Sequence, residues 1–247
     1  MVHELIQVIA SCGVHDDVPP NTLAAFEAAI QAGCDMTETD FRRCADGVIV
    51  FHDSQAGGRP VATLTRREIR DATGILPPTL DDFIECCRGR LGVDFELKED
   101  GLEEDILEAL TPYFGPGQFV ITSFRPSVLA RVRELDATAP TGLLTMRGLT
   151  EYIQAHPETA DPRSAGQIVA EARALDVDYV LPDGCDRELF QVADAAGLAT
   201  IAWAVGSAEQ MRELARFGGL RGMITEHPAL LRRVLAGQPA QAADARA

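Results

Sequence analysis

The fold this sequence predicts is a single α/β domain, a TIM-type (β/α)8 barrel, and three observations predict it. Short apolar runs alternate with helical-period segments from end to end, the signature of a parallel sheet built from βα units. The length, 247 residues, is ordinary for one such barrel. Three of the runs end in reactive side chains, Glu38-Thr39-Asp40, His52-Asp53 and Glu96-Leu97-Lys98, and a parallel barrel carries its chemistry at strand ends.

The expected strands are Leu5 to Ala10, Cys34 to Phe41, Val48 to Phe51, Leu91 to Leu97, Phe119 to Thr122, Thr141 to Thr145, Asp178 to Pro182, Ala199 to Ala204 and Gly222 to Thr225. That is one more than a barrel of eight needs, so one of the two runs between Cys34 and Phe51 is either mis-assigned or paired as a hairpin. Helix starts carry capping signals. Asn21-Thr22 opens the segment to Gln31, Thr79 with Asp82 opens Leu80 to Arg88, and Ser207 with Gln210 opens the segment to Phe217. Gly33, Gly89 and Gly218 then mark their ends. Between Ser54 and Pro78 the pairs Gly57-Gly58 and Pro77-Pro78, with Pro60, surround one short helix opened by Thr65 with Glu68, an excursion over one barrel end. The barrel domain is expected over residues 1–236. The Ala- and Gln-rich stretch 237–247 is expected to be a mobile tail.

Composition narrows the function. Hydrophobic residues make up 46%, enough for a buried core, and 38 acidic against 22 basic side chains give a formal net charge of −16. That charge opposes nucleic acid and anionic headgroups and points to a small-molecule partner. Met1-Val2-His3-Glu4-Leu5 has no basic start and no long apolar run, so neither a leader nor a membrane span is expected, and the cytoplasm is the default compartment. The six cysteines lack C-x-x-C spacing and read as reduced thiols.

Residues two apart on a strand share a face, so Glu38 and Asp40 can reach one cation together, and Glu96 and Lys98 can face one pocket. Taken singly, Glu38 and Asp40 read as solvated strand-end charges. Converging with Glu96, they would repel one another unless a hard divalent cation, Mg²⁺ or Ca²⁺, neutralised them. His52 sits at a strand tip, where a general acid is the natural role and a structural histidine the ordinary one. Lys98 can neutralise an oxyanion or pair with Glu99 or Asp100. Trp203 and the 54–78 excursion are candidate pocket walls.

These landmarks resemble the glycerophosphodiester phosphodiesterases, metal-dependent barrels of the phosphatidylinositol-phospholipase-like fold. Pro19-Pro20-Asn21-Thr22 resembles the family's Pro-Glu-Asn-Thr, Glu38-Thr39-Asp40 its Glu-Leu-Asp, and Phe95-Glu96-Leu97-Lys98 its Glu-Ile-Lys strand. Val50-Phe51-His52-Asp53 is almost unchanged; Pro78-Thr79-Leu80, Ser123-Phe124, Trp203-Ala204-Val205 and Gly222-Met223-Ile224-Thr225 follow in the family's order. The resemblance implies a phosphodiesterase with Glu38, Asp40 and Glu96 at the metal-ligand positions, His52 at the second catalytic histidine and Lys98 at the phosphate-facing lysine. Two departures are specific. The family's opening His-Arg-Gly is Ser11-Cys12-Gly13, and the glutamate of Pro-Glu-Asn-Thr is Pro20.

Three functions stay open at this point. In the first, a phosphodiester is cleaved with His52 as acid, and the missing base is His15 or a water whose pKa the metal lowers. A Cys12 thiolate is disfavoured by nearby carboxylates. The second is a metal-assisted lyase or isomerase acting on another anionic metabolite, and the third a non-catalytic protein that retains the metal.

Overall fold

The structure is a computed structural model, and it describes residues 6–149, 153–154 and 160–238. The chain opens with β1 (Gln7–Ser11) and α1 (Leu23–Gln31), then β2 (Met36–Cys44) and β3 (Gly47–Val50), a ribbon of β4 (Gln55–Ala56) and β5 (Arg59–Pro60), and helices α2 (Arg66–Thr73) and α3 (Leu80–Cys87). Regular alternation follows: β6 (Gly92–Leu97), α4 (Glu103–Leu110), β7 (Phe119–Ser123), α5 (Pro126–Leu135), β8 (Thr141–Leu144), α6 (Ala165–Ala174) and β9 (Tyr179–Leu181). The described part closes with α7 (Arg187–Ala195), β10 (Ala199–Ala202), α8 (Ala208–Leu214), β11 (Leu220–Thr225) and α9 (Pro228–Leu235).

Eight of these strands form the barrel, in the order β1-β11-β10-β9-β8-β7-β6-β2, with β2 returning to β1 to close it. All eight contacts are parallel, from Ala10 opposite Thr225 to Asp40 opposite Glu96. The ninth run is the hairpin arm: β3 lies antiparallel on β2, with Phe41 opposite Val50 and Cys44 opposite Gly47. β2 overshoots the barrel rim, and the turn at Ala45-Asp46, completed by Gly47 at φ +140°, sends the chain back along it. His52 is therefore carried by a strand outside the barrel proper. The expected start of the first strand at Leu5 and the tail beyond Gln238 lie outside the described residues.

Helix starts follow the capping signals. Thr65 and Thr79 each accept from the backbone N–H three residues on, and Glu68 and Asp82 reach back to the cap N–H. Ser207 accepts from Gln210 N–H, but α8 ends at Leu214 rather than Phe217. The chain leaves the helix there, and the Phe217 ring stacks on Phe190 with centroids 5.4 Å apart.

Strand alternation sorts the core into two layers. On β6, Val93, Phe95 and Leu97 join the buried cluster beneath the helices, where Phe95 stacks on Phe41 at 5.2 Å and meets Phe83 edge-on at 5.8 Å. The intervening Asp94 and Glu96 point the other way, into the barrel. The barrel interior is otherwise apolar, filled by Ile9, Met36, Val120, Leu144, Leu181, Ile201 and Ile224. Polar side chains thus enter the interior mainly on the β1-β2-β6-β7 side, and that asymmetry sets up the site.

Candidate active site

A cleft of about 550 Å³ opens at the C-terminal mouth of the barrel. One wall carries Ser11, Cys12, Glu38, Asp40, His52, Glu96 and Lys98; the opposite wall carries Phe124, Leu144, Met146, Leu149, Trp203 and Ile224. Glu226 and His227 complete the rim beyond β11. The apolar wall is braced by hydrogen bonds. Trp203 Nε1–H donates to the Thr145 and Leu181 carbonyls, both at 3.1 Å, and its ring meets Phe124 edge-on at 5.7 Å.

The carboxylates sit on adjacent strands in register, Glu38 opposite Asp94 and Asp40 opposite Glu96. All four are buried. Lys98 Nζ bridges two of them, 2.7 Å from Asp40 Oδ1 and 2.6 Å from Glu96 Oε1. Asn21, held at φ +56°, donates from Nδ2 to Asp40 Oδ2 at 2.7 Å. Burial pushes the Asp40 carboxyl up, but Lys98, His52 and Asn21 outweigh it and hold it below the usual carboxylate range. Glu38 and Glu96 stand above that range: burial raises both, Asp40 adds to it in both, and Lys98 opposes it. Asp94, deeper in the barrel, is pushed to about 8 by burial; Thr122 Oγ1 donates to its Oδ1 at 2.5 Å, while its Oδ2 has no hydrogen-bond partner among the described residues. Burial lowers the Lys98 ammonium, yet Glu96 and Asp40 more than restore it, so it stays charged. Four buried carboxyls share one ammonium and three of them stand above their ordinary range, the frustration a divalent cation relieves.

The donor atoms nearest to sharing one ion are those of Cys12, Glu38 and Asp40, all within 4.8 Å of one another. Glu96 joins the cluster through Lys98. Burial, then Glu38 and Asp40, raises the Cys12 thiol well above its ordinary value, so without a cation it is a neutral S–H. The loop that carries it is pinned by main chain: Cys12 N–H donates to the Glu38 carbonyl at 3.0 Å and Asn21 N–H to the Cys12 carbonyl at 3.0 Å. Gly13 N–H donates to Thr37 Oγ1 at 3.1 Å. Gly13 itself adopts φ +85°, and a Cβ there would lie 2.6 Å from the Ala25 carbonyl carbon.

His52, Lys98, Glu38, Asp40 and Glu96 all line the cleft; His15 is half-buried in the loop after β1 and does not. His52 is 62% exposed and its Nδ1 lies 2.8 Å from Asp53 Oδ1, while Arg42 Nε–H holds the His52 carbonyl at 2.8 Å. Sequence reasoning missed two residues. Asp94 was legible as the inward neighbour of Glu96 in the alternation Val93-Asp94-Phe95-Glu96. His227 was passed over because the segment around it was read as a strand landmark.

A closed parallel barrel whose C-terminal mouth holds carboxylates able to take a divalent ion, a lysine and an imidazole defines a class of barrel hydrolases acting on anionic substrates. Within that class, residues 13–230 match the model of the glycerophosphoryl diester phosphodiesterase family, and the chain belongs to that family. Several of its relatives are named as phosphodiesterases. A glycerophosphodiester phosphodiesterase of Caldanaerobacter subterraneus subsp. tengcongensis is 28% identical, aligned over 91% of this chain and 95% of that one. Among solved structures, the Thermotoga maritima glycerophosphodiester phosphodiesterase superposes with TM-score 0.75 at 21% identity, covering 94% of this chain and 99% of that chain. An Oleispira antarctica phosphodiesterase, solved with the product sn-glycerol-3-phosphate, superposes with TM-score 0.72 at 24% identity, covering 94% and 97%. These two show the shared fold. In the described residues, no helix is long and apolar enough to cross a membrane.

Proposed function

We propose that this chain is a metal-dependent hydrolase of glycerophosphodiesters with altered catalytic machinery. The observation that carries the reading is the convergence of Glu38, Asp40, Glu96, Lys98 and His52 on one cleft in a family of diester hydrolases. Glu38 and Asp40, with Glu96 beside them, are the residues to hold the cation; Mg²⁺ and Ca²⁺ suit their oxygen donors. When bound, such an ion supplies Lewis-acid polarisation of a phosphoryl oxygen. The Lys98 ammonium faces the same place and adds fixed positive charge for a phosphate oxygen. With Asp53 at Nδ1, the His52 ring presents Nε2 as the atom that gives a proton to the departing alcohol oxygen. The bound sn-glycerol-3-phosphate of the Oleispira protein supports a glycerol phosphate product for this chain too. The apolar wall of Phe124, Met146 and Trp203 offers an apolar surface to the alcohol half of the substrate.

One departure favours a second reading. Ser11 and Cys12 stand where the family's histidine and arginine are expected, so a metal-assisted lyase or isomerase acting on an anionic metabolite would keep the same carboxylates, Lys98 and His52. The two separate by product. Hydrolysis of a panel of glycerophosphodiesters with Mg²⁺ or Ca²⁺, compared across the native chain, His52→Ala and Glu38→Gln, is expected to yield a phosphomonoester and an alcohol only with the native chain. No phosphomonoester from any panel member sinks the diesterase reading.

A further inference from the structure

With His52 as acid, the proton of the attacking water was expected to go to His15 or to be loosened by the metal, and His15 does not line the cleft. His227 does. Its position follows from the topology. β1 lies between β11 and β2 in the barrel, Ala10 pairs with Thr225 on one side, and Ser11 pairs with Glu38 on the other. The end of β1, where Ser11 and Cys12 stand, is therefore flanked by two imidazoles: His52 beyond β2 and β3, and His227 two residues past the end of β11. Resting on the diesterase reading, we propose that His227 is a catalytic residue of this cleft, the general base that replaces the histidine absent from β1.

Four further observations support this. His227 is fixed by its backbone: its N–H donates to Thr225 Oγ1 at 3.0 Å, Thr225 Oγ1 in turn donates to the Val205 carbonyl at 2.5 Å, and Pro228 starts α9 directly after it. A side chain on so constrained a backbone searches few positions. Its imidazole has no hydrogen-bond partner among the described residues. It is half-buried at the cleft rim. Lastly, Lys98, His52 and His227 are the three cleft-lining residues able to carry positive charge, and Lys98 is bridged to Asp40 and Glu96. His52 is paired through Nδ1 with Asp53 and serves the leaving oxygen through Nε2, which leaves His227 for the nucleophile.

The step balances as follows. The oxygen of a water forms a bond to phosphorus, and its proton passes to His227. The bond from phosphorus to the departing alcohol oxygen breaks, and His52 gives that oxygen its proton. Proton transfer out of the product state restores both rings.

The test is a pair of variants, His227→Ala and His227→Gln, assayed on a glycerophosphodiester and on a glycerol phosphate diester of p-nitrophenol, with His52→Ala and His15→Ala in parallel. Loss of a general base is expected to lower kcat about 10²–10⁴-fold with KM little changed. Added imidazole should restore part of the lost rate in His227→Ala. The loss should be equal on both substrates for the His227 variants, because the nucleophile is the same. It should shrink on the p-nitrophenyl ester for His52→Ala, because that leaving group needs no acid. Native-like unfolding midpoints identify the variants that report on chemistry, and the Gln variant keeps the size of the ring side chain. A kcat within tenfold of native in both His227 variants overturns the assignment while leaving the diesterase reading intact, as does a loss that appears in His15→Ala instead. A native chain inactive on both substrates overturns the diesterase reading and this assignment with it.

Discussion

Lys98→Met removes the ammonium that lies 2.7 Å from Asp40 and 2.6 Å from Glu96 while keeping an unbranched side chain of similar length. The Asp40 side chain is 1% exposed, that of Glu96 8% and that of Lys98 13%, so water cannot take over the solvation. Removing one partner of a buried ion pair costs about 3–5 kcal/mol, because the remaining charge stays buried and unpaired. For a chain of this size each kcal/mol moves the midpoint by about 2–4 °C, so chelator-treated Lys98→Met should melt about 6–20 °C below the native protein at pH 7.5. A divalent cation can do part of what the ammonium did. Mg²⁺ at about 100 times its dissociation constant adds about 2.7 kcal/mol to either protein. The variant should reach that gain at lower Mg²⁺, since no ammonium competes for the carboxylates. Differential scanning calorimetry with and without Mg²⁺ reads both effects. A loss below about 1 kcal/mol, the scale of an exposed pair, would refute the description of the cluster as buried and charge-frustrated. So would a gain that the variant reaches at no lower Mg²⁺ than native.

Two further outcomes follow from the same strands. Gly13→Ala combines a left-handed backbone, about 1–2 kcal/mol, with a Cβ driven into Ala25, about 1–3 kcal/mol, whereas Gly33→Ala, also left-handed but open to space, should cost the first amount alone; equal losses in urea unfolding would discredit the close approach to Ala25. Asp94→Asn tests the buried carboxyl by pH. A carboxyl raised in the folded state from about 4 to about 8 makes the fold lose stability as pH climbs through that window, with the full penalty above it. Asn cannot ionise, so with chelator present the variant should be close to native at pH 5 and about 2–4 kcal/mol more stable than native at pH 9; the same difference at both pH values would contradict the assignment.

The barrel was legible because its outward-facing residues are long apolar ones at strand spacing and its helices carry strong caps such as Thr65 with Glu68. The role of the ninth run was not settled by pattern, since Val48-Ile49-Val50 is equally good as a barrel strand or as a hairpin arm; the turn at Asp46-Gly47 and the pairing of Phe41 with Val50 decide it. Glu38, Asp40, Glu96 and Lys98 were readable from period two alone. His15 and His227 could not be ranked from sequence, because their standing depends on which strand neighbours β1, a fact of barrel closure between residues more than 200 positions apart. Cys12 was readable as a departure but not as a donor, since only the fold brings its sulfur 3.6 Å from Asp40 Oδ2.

The loop after β1 keeps its shape through atoms that nearly every residue type possesses: the N–H and C=O of Cys12, the N–H groups of Gly13 and Asn21, and the carbonyl of Glu38. Three of its residues are left-handed, Cys12 at φ +53°, Gly13 at φ +85° and Asn21 at φ +56°, and a Cβ on Gly13 would collide with Ala25. The end of β1 is thus a socket held by main-chain bonds that still selects its contents, since a β-branched residue at position 12 would strain the turn. Unbranched reactive groups can be exchanged there at small cost, and a lineage can try new chemistry at the mouth of this barrel within that limit.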